Sequence, residues 1–146
     1  MQRRLALAVG AAILTGALGA CSAMAPGPTA QSEMRKVVFQ VSEADPKNWN
    51  LALNNLRNVQ QAIGKDKVLT ELVVYGPGIA MLKAESKVEP RITQALTDGV
   101  RVVACENTMH AQKLTKADMI PGIGYVPGGV VELMERQREG WAYIRP

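Results

Sequence analysis

Cys105 is the residue of this chain best placed to do chemistry. It ends the apolar run of residues 100–104, which predicts a buried strand, and Glu106 begins a segment typical of a helix. A thiol between the carboxyl end of a strand and a helix N-terminus lies where parallel α/β proteins bind ligands, and the helix dipole stabilises a thiolate there. The sequence therefore favours a reactive thiol. The alternative is a buried, inert cysteine that packs as a small hydrophobe.

Four residues are candidates to support this thiol. Asn107 and Thr108 could cap the helix that follows and orient its N–H groups toward Cys105, which would lower the thiol pKa. They could equally cap the helix and do nothing more. Gly76 and Gly78 follow the second predicted strand and would let backbone approach the crevice closely, although such glycines often form only a turn.

Other kinds of site have little support in the sequence. His110, the only histidine, lies five residues beyond Cys105, and five helical residues turn through roughly 500°, so the two side chains fall on different faces unless Cys105 precedes the helix. We expect no Cys–His catalytic pair. One histidine and one available thiol are too few ligands for a metal site, and residues 122–124 lack the rest of a dinucleotide fingerprint, so no metal or cofactor is predicted.

The N-terminal segment has the features of an export signal. Arg3 and Arg4 form a positive start, and residues 5–20 form an apolar run shorter than the roughly 20 residues of a membrane-spanning helix. The run ends in LGAC at 18–21, which resembles a bacterial lipoprotein box and predicts acylation of Cys21. Ser22, rather than Asp, after this cysteine is typical of lipoproteins sent to an outer membrane. The alternative is ordinary cleavage after residues 23–25, which would leave a soluble periplasmic protein.

Removal of the signal changes both the charge and the thiol count. The chain loses Arg3 and Arg4 and retains 15 basic against 13 acidic residues, scattered among one another, so no nucleic-acid-binding surface is predicted. If Cys21 carries lipid, Cys105 is the single remaining thiol. A lone cysteine in an oxidising compartment must react, pair outside the chain or stay buried.

The rest of the chain predicts a flexible tether, at 21–34, and one folded domain, at 35–146. Short β-branched runs alternate with helical patterns, which predicts an α/β domain with a mostly parallel five-stranded sheet and helices on both faces. The expected strands are residues 36–41, 68–75, 100–104, 122–126 and 141–144. The clearest helix carries an apolar stripe from Trp49 to Ile63 and ends at Gly64. Further helices are expected to begin near Pro90, after Cys105 and near Gly128.

Four segments together resemble the DsrE/DsrF-like family: KVVF at 36–39, VVYGPGI at 73–79, ACENTM at 104–109 and GWAYI at 140–144. The resemblance spans the whole predicted domain and depends on the order and spacing of these segments. It implies a flavodoxin-like subunit that assembles as a homotrimer or homohexamer. Relatives in sulfur relay systems carry sulfur as a persulfide, and Cys105 is the matching position. An export signal departs from the cytoplasmic relay members, which puts their particular pathways in doubt for this chain.

Two functions are therefore expected to compete. The first is a cell-envelope protein that carries sulfur as a persulfide on Cys105, with a possible sulfurtransferase activity, and that touches the membrane only through a lipid on Cys21. The second is a noncatalytic oligomeric binding module in which Cys105 is structural. The sulfur donor and acceptor are not identifiable from the sequence.

Overall fold

A computed structural model describes residues 34–146 of the chain. The strands are β1 (Arg35–Val41), β2 (Val68–Val74), β3 (Arg101–Cys105), β4 (Gly124–Val126) and β5 (Ala142–Ile144). The α-helices are α1 (Pro46–Ile63), α2 (Glu89–Thr97), α3 (Glu106–Ala111) and α4 (Gly129–Arg138), and two 3₁₀ segments cover Gly76–Leu82 and Lys116–Asp118. The predicted signal peptide, Cys21 and nearly all of the tether lie outside the described residues and stay predictions.

The five strands form one parallel sheet in the order β4-β3-β2-β1-β5. The chain steps outward from β1 to β4 and then returns to place β5 beside β1. Because crossovers between parallel strands are right-handed, the steps outward put α1, α2 and α3 on one face and the return puts α4 on the other. The predicted α/β domain with a parallel five-stranded sheet and helices on both faces is thus confirmed.

The first face of the sheet carries the main core. Inward-facing side chains of β1, β2 and β3, including Phe39, Leu72 and Val102, pack against the apolar stripe of α1 and against α2. Helix α1 begins because the Asp45 carboxylate accepts the Lys47 backbone N–H at 2.9 Å. It ends at Gly64, whose φ of 99° suits glycine, as predicted.

The second face is covered by α4 alone. Leu133 packs on four strand valines that form a small cluster, namely Val38, Val73, Val103 and Val126. On the same face Glu71 is fully buried in β2. Its carboxylate pairs with Arg136 of α4 at 2.6 Å and with Arg101 of β3 at 2.7 Å. The buried carboxylate therefore ties α4 to the middle of the sheet.

Glu132 of α4 completes this ion-pair cluster. Its carboxylate oxygen Oε1 lies 2.7 Å from Nη1 of Arg101 and 2.8 Å from Nη2 of Arg136. Burial raises the pKa of Glu71, and the hydrogen bond that it shares with Glu132 raises it further, whereas the two arginines oppose the shift. Glu71 therefore holds a proton more readily than an ordinary glutamate.

Several predicted element bounds differ from those observed. The strand predicted at 122–126 begins only at Gly124, because Gly122 has a φ of 87° and belongs to a turn. The strand predicted at 100–104 runs from Arg101 to Cys105, so the cysteine is the last strand residue. Pro90 does lie in the first turn of α2, and Gly128 does precede the first residue of α4.

None of the helices within residues 34–146 combines the length and hydropathy needed to cross a bilayer.

Candidate functional site

Cys105 lies at the point of the sheet where two adjacent strands are followed by helices on opposite faces. After β3 the chain enters α3 on one face, and after the neighbouring β4 it enters α4 on the other. Cys105 and Val126, the last residues of these strands, are paired. Helices that diverge from adjacent strands leave a crevice at the carboxyl edge of the sheet, and such a switch point is the usual ligand site of open α/β sheets.

The sulfur of Cys105 is surrounded by hydrogen-bond donors from both helices. Burial raises the pKa of Cys105, but the Thr108 hydroxyl and the backbone N–H groups of Gly129, Thr108 and Asn107 lower it, and the pKa lies below its ordinary value. These donors belong to the first turns of α3 and α4. Two helix N-termini thus stabilise one thiolate.

Thr108 connects the sulfur to the end of β2. Its hydroxyl oxygen accepts the backbone N–H of Gly76 at 2.9 Å, which leaves the hydroxyl hydrogen free to point at the sulfur. The Gln112 side-chain amide also donates to the Gly76 carbonyl oxygen, at 3.3 Å. The structure therefore joins Thr108 and Gly76, two predicted site residues, by a hydrogen bond beside Cys105.

Asn107 and Thr108 do not cap α3, as the sequence suggested they could. Cys105 itself is the N-cap residue, and the other two lie in the first helical turn. The Cys105 side chain makes no capping hydrogen bond, and because sulfur is a weak acceptor, the neighbouring donors lower its pKa without forming a close hydrogen bond. The backbone N–H of Asn107 donates to the Pro127 carbonyl oxygen at 3.2 Å, so it reaches the sulfur only as a shared donor, and its side chain takes no part.

Gly129 is a site residue that the sequence analysis missed. A Cβ atom at this position would lie 2.9 Å from the Cβ of Tyr75, so only glycine lets the start of α4 come this close to the end of β2. The consecutive glycines Gly128 and Gly129 could have indicated this site in the sequence. They lie between β4 and α4, just as Cys105 lies at the junction of β3 and α3. Their proximity depends on strand order, which sequence patterns do not give.

The remaining candidates lie away from the sulfur or make other contacts. Gly78 packs on the end of β1, where its N–H donates to the Ser42 carbonyl oxygen at 2.9 Å and an added Cβ would lie 2.9 Å from the Val41 carbonyl oxygen. The side chain of His110 is exposed near the end of α3 and forms no hydrogen bond within the described residues. Glu106 faces Lys116, at 3.9 Å.

Cys105 is only 5% exposed, yet its surroundings are not hydrocarbon alone. An inert structural cysteine packs among apolar atoms and has a raised pKa. Here a hydroxyl and three backbone N–H groups reach the sulfur and lower its pKa. The site can hold an anionic sulfur, and a small movement is needed for a second molecule to reach it.

Within residues 34–146 no group of three or more histidine, cysteine or carboxylate side chains is arranged to hold a metal ion. The Cys105 site offers one sulfur and several donors, and donors bind anions rather than cations. The arrangement therefore suits the chemistry of an ionised sulfur.

A comparison with family models matches residues 35–146 to the DsrE/DsrF-like family. No curated protein matches the chain. A solved structure from Methanobacterium thermoautotrophicum, the protein of unknown function MTH1491, is 35% identical, and the match covers 77% of this chain and 99% of that one with a TM-score of 0.74.

Two further solved structures share the fold at low identity. BT1422 of Bacteroides thetaiotaomicron, a conserved protein of unknown function, is 15% identical over 76% of this chain and 94% of its own, with a TM-score of 0.62. The YchN protein of E. coli is 11% identical over 78% of this chain and 99% of its own, with a TM-score of 0.61.

Proposed function

The chain belongs to the DsrE/DsrF-like family, and from that premise we propose that it carries sulfur as a persulfide on Cys105. The observation that supports this most directly is the set of four donors, one hydroxyl and three backbone N–H groups, that lower the pKa of an otherwise buried thiol. A sulfur carrier needs a thiolate near neutral pH, because the thiolate is the nucleophile.

The proposed transfer conserves atoms and electrons. The Cys105 thiolate attacks the outer sulfur of a donor persulfide, R–S–SH, and forms a new S–S bond to it. The S–S bond of the donor breaks, and its inner sulfur leaves as the thiolate R–S⁻. Cys105 then holds the persulfide, whose own ionised form the same N–H groups and the Thr108 hydroxyl stabilise until an acceptor thiolate attacks.

The experiment is treatment of the purified protein with inorganic polysulfide at neutral pH, followed by intact-mass measurement and peptide mapping. We expect a gain of about 32 Da, one sulfur atom, on the peptide that contains Cys105, reversed by a reductant. Cys105→Ser removes the adduct, and His110→Ala, a change at an exposed residue, leaves it unchanged. A native protein that gains sulfur only after unfolding contradicts the proposal.

A noncatalytic module with a structural Cys105 is the second candidate, and the 5% exposure of this residue is the observation that favours it. Under that function Cys105→Ser alters stability alone. Alkylation of the native protein separates the two, since a sealed thiol reacts only as fast as the protein unfolds.

We also propose that the protein works in the cell envelope, anchored on the periplasmic side, with the outer membrane as its destination, by a lipid on Cys21. The support is the basic start, the apolar run and the LGAC segment before Ser22. Metabolic labelling with a fatty acid tests this: Cys21→Ser is expected to lose the label and to leave the membrane fraction. Label-free wild-type protein that is soluble in the periplasm would instead support ordinary signal cleavage.

The protein is further proposed to associate with copies of itself, as the family resemblance implies. The supporting surface, called here the α4 patch, consists of Val130, Val131 and Met134, which are 54%, 59% and 60% exposed. Because α4 covers the second face alone, its outer side carries no further layer within the described residues. A second copy that buries this patch would remove apolar area from water next to the Cys105 crevice.

A further inference from the structure

A cavity of about 240 Å³ lies between α1 and α2, on the face of the sheet that carries the main core. One of its lining residues, Val100, directly precedes β3, whereas Cys105 ends the same strand. Five strand residues span roughly 16 Å, so the cavity and the thiol lie at opposite edges of the sheet. Nothing in the proposed sulfur chemistry uses this cavity.

The floor of the cavity is apolar and rigid. Leu53 and Leu56 of α1 and Val100 line it, and each of the three is at most 5% exposed as part of the main core. An aliphatic group placed there would exchange water for close contact with hydrocarbon. The volume lies below that of pockets for drug-sized molecules, so the ligand must be small.

Two arginine residues line the same cavity without carboxylate partners. Arg91 donates from Nη2 to the Asn54 side-chain oxygen at 2.7 Å and from Nη1 to that of Asn50, and both acceptors are neutral. Neither Arg91 nor Arg57 forms an ion pair within residues 34–146. The one acidic lining residue, Asp98, is paired with Lys65 at 2.6 Å. The cavity therefore retains positive charge.

A largely buried amide, that of Gln60, also lines the cavity. Gln60 is only 4% exposed, and its Nε2 donates to the Asp98 carbonyl oxygen at 3.0 Å and to the Thr70 hydroxyl at 3.4 Å. Within the described part of the chain its Oε1 accepts no hydrogen bond from another residue, and no buried polar side-chain atom there lacks a partner, so this oxygen is open to solvent. A ligand that carries a donor can take the place of the water that serves such an oxygen.

From these three features we infer that the cavity binds a small aliphatic carboxylate that carries a hydrogen-bond donor beside its carboxylate. The carboxylate binds the guanidinium groups of Arg57 and Arg91, which match it in charge and geometry. The aliphatic part lies on the leucine and valine floor, and the donor reaches the Gln60 oxygen.

N-acetyl-L-leucine is the probe that tests this, because it combines an N–H, a branched aliphatic group and a carboxylate. Its matched neutral partner is N-acetyl-L-leucinamide, which has nearly the same shape but carries an uncharged amide in place of the carboxylate. We expect backbone amide NMR shifts in the full protein to saturate with the acid and to be confined to α1, α2 and the start of β3. The acid should bind about tenfold more tightly than the amide, as expected for a charge-assisted contact.

Arg57→Gln is the decisive variant, because Arg57 forms no ion pair or hydrogen bond that the fold needs within the described residues. It should remove most of the preference for the acid, whereas Lys47→Gln, the same change of charge at an exposed position on α1, should retain it. Equal affinity for acid and amide, an unchanged preference in Arg57→Gln, or shifts that never saturate would each overturn the inference. The reactivity of Cys105 does not enter any of these readouts, so the two proposals fail separately.

Discussion

At the scale of single residues, the acidity of Cys105 comes from dipoles and hydrogen bonds, since no charged side chain is among the groups that shift its pKa. Dipoles held in a folded backbone are screened by salt less than exposed ions are. The reactivity of this thiol should therefore change little with ionic strength.

The pH dependence of alkylation tests the Thr108 contact. Because the pKa of Cys105 lies below its ordinary value, the thiolate persists to lower pH. The pH at which the rate of alkylation by iodoacetamide is half its maximum should therefore lie below the value of about 8.5 found for free thiols. Thr108→Val removes the hydroxyl donor and should raise this midpoint. A wild-type midpoint at the free-thiol value would contradict the site geometry.

The same shift has a consequence for stability. A thiol whose pKa is lower in the folded than in the unfolded state contributes stability above the unfolded pKa. That contribution is lost as pH falls through the folded value. Denaturant unfolding of the wild type and of Cys105→Ser, each measured over a range of pH, tests this contribution. The free energy of unfolding of the wild type, relative to that of Cys105→Ser, should increase toward alkaline pH.

Gly129→Ala tests the close approach of α4 to β2. The new methyl group would lie 2.9 Å from the Tyr75 Cβ, so we expect a loss of about 1–3 kcal/mol in the free energy of unfolding and a higher alkylation midpoint for Cys105. Gly128→Ala is the matched control, because its nearest neighbour, a methyl of Val131, is 3.4 Å away. Equal effects of the two substitutions would show that the contact with Tyr75 does not matter.

The sequence identified Cys105, Thr108 and Gly76 as site residues because each follows a strand or begins a helix. It did not identify Gly129, and it assigned capping to Asn107 and Thr108 where Cys105 holds the cap position. The capping error is local, since β3 runs to Cys105 and α3 begins at Glu106, whereas the omission of Gly129 has a tertiary origin. A contact between the ends of β3 and β4 depends on which strands are neighbours in the sheet and on how closely their backbones approach. Local sequence patterns contain neither kind of information.

At the scale of elements, α4 is held on the sheet by Leu133 and by the buried carboxylate of Glu71. Leu133 packs on four strand valines, and Arg136 of α4 and Arg101 of β3 both pair with Glu71. The position of α4 matters for the site because its first residue, Gly129, donates to the sulfur.

Glu71→Ala should therefore lower the free energy of unfolding by about 3 kcal/mol or more, because two arginines lose a buried partner. It should also raise the alkylation midpoint of Cys105, since the start of α4 is no longer fixed. Glu135→Ala is the control on the same helix. Its pair with Arg138 is solvent-exposed, and a change within about 0.5 kcal/mol is expected in urea unfolding.

Element prediction succeeded where the signal is local. The apolar stripe predicted from Trp49 to Ile63 lies on α1, and the helix ends before Gly64 as expected. It failed at the start of β4, where Gly122 turns the chain before Gly124 begins to pair. In so short a strand the turn residues outweigh the apolar pattern.

At the scale of the whole molecule, the proposed association between copies depends on the α4 patch. If they bury it, Val131→Glu places a charge in the interface and should reduce the assembly to monomers, as measured by light scattering on a sizing column. Leu51→Glu is the matched control, since Leu51 is 45% exposed on α1 and belongs to the opposite face. Assembly that survives Val131→Glu and is lost in Leu51→Glu would assign the interface to α1 instead.

The two outermost strands, β4 and β5, have three residues each. Strands this short present too few free backbone groups to recruit a further chain by edge pairing. These edges therefore disfavour lateral growth of the sheet, and if the proposed lipid anchor crowds copies onto a membrane surface, we expect finite clusters formed through helices rather than fibres.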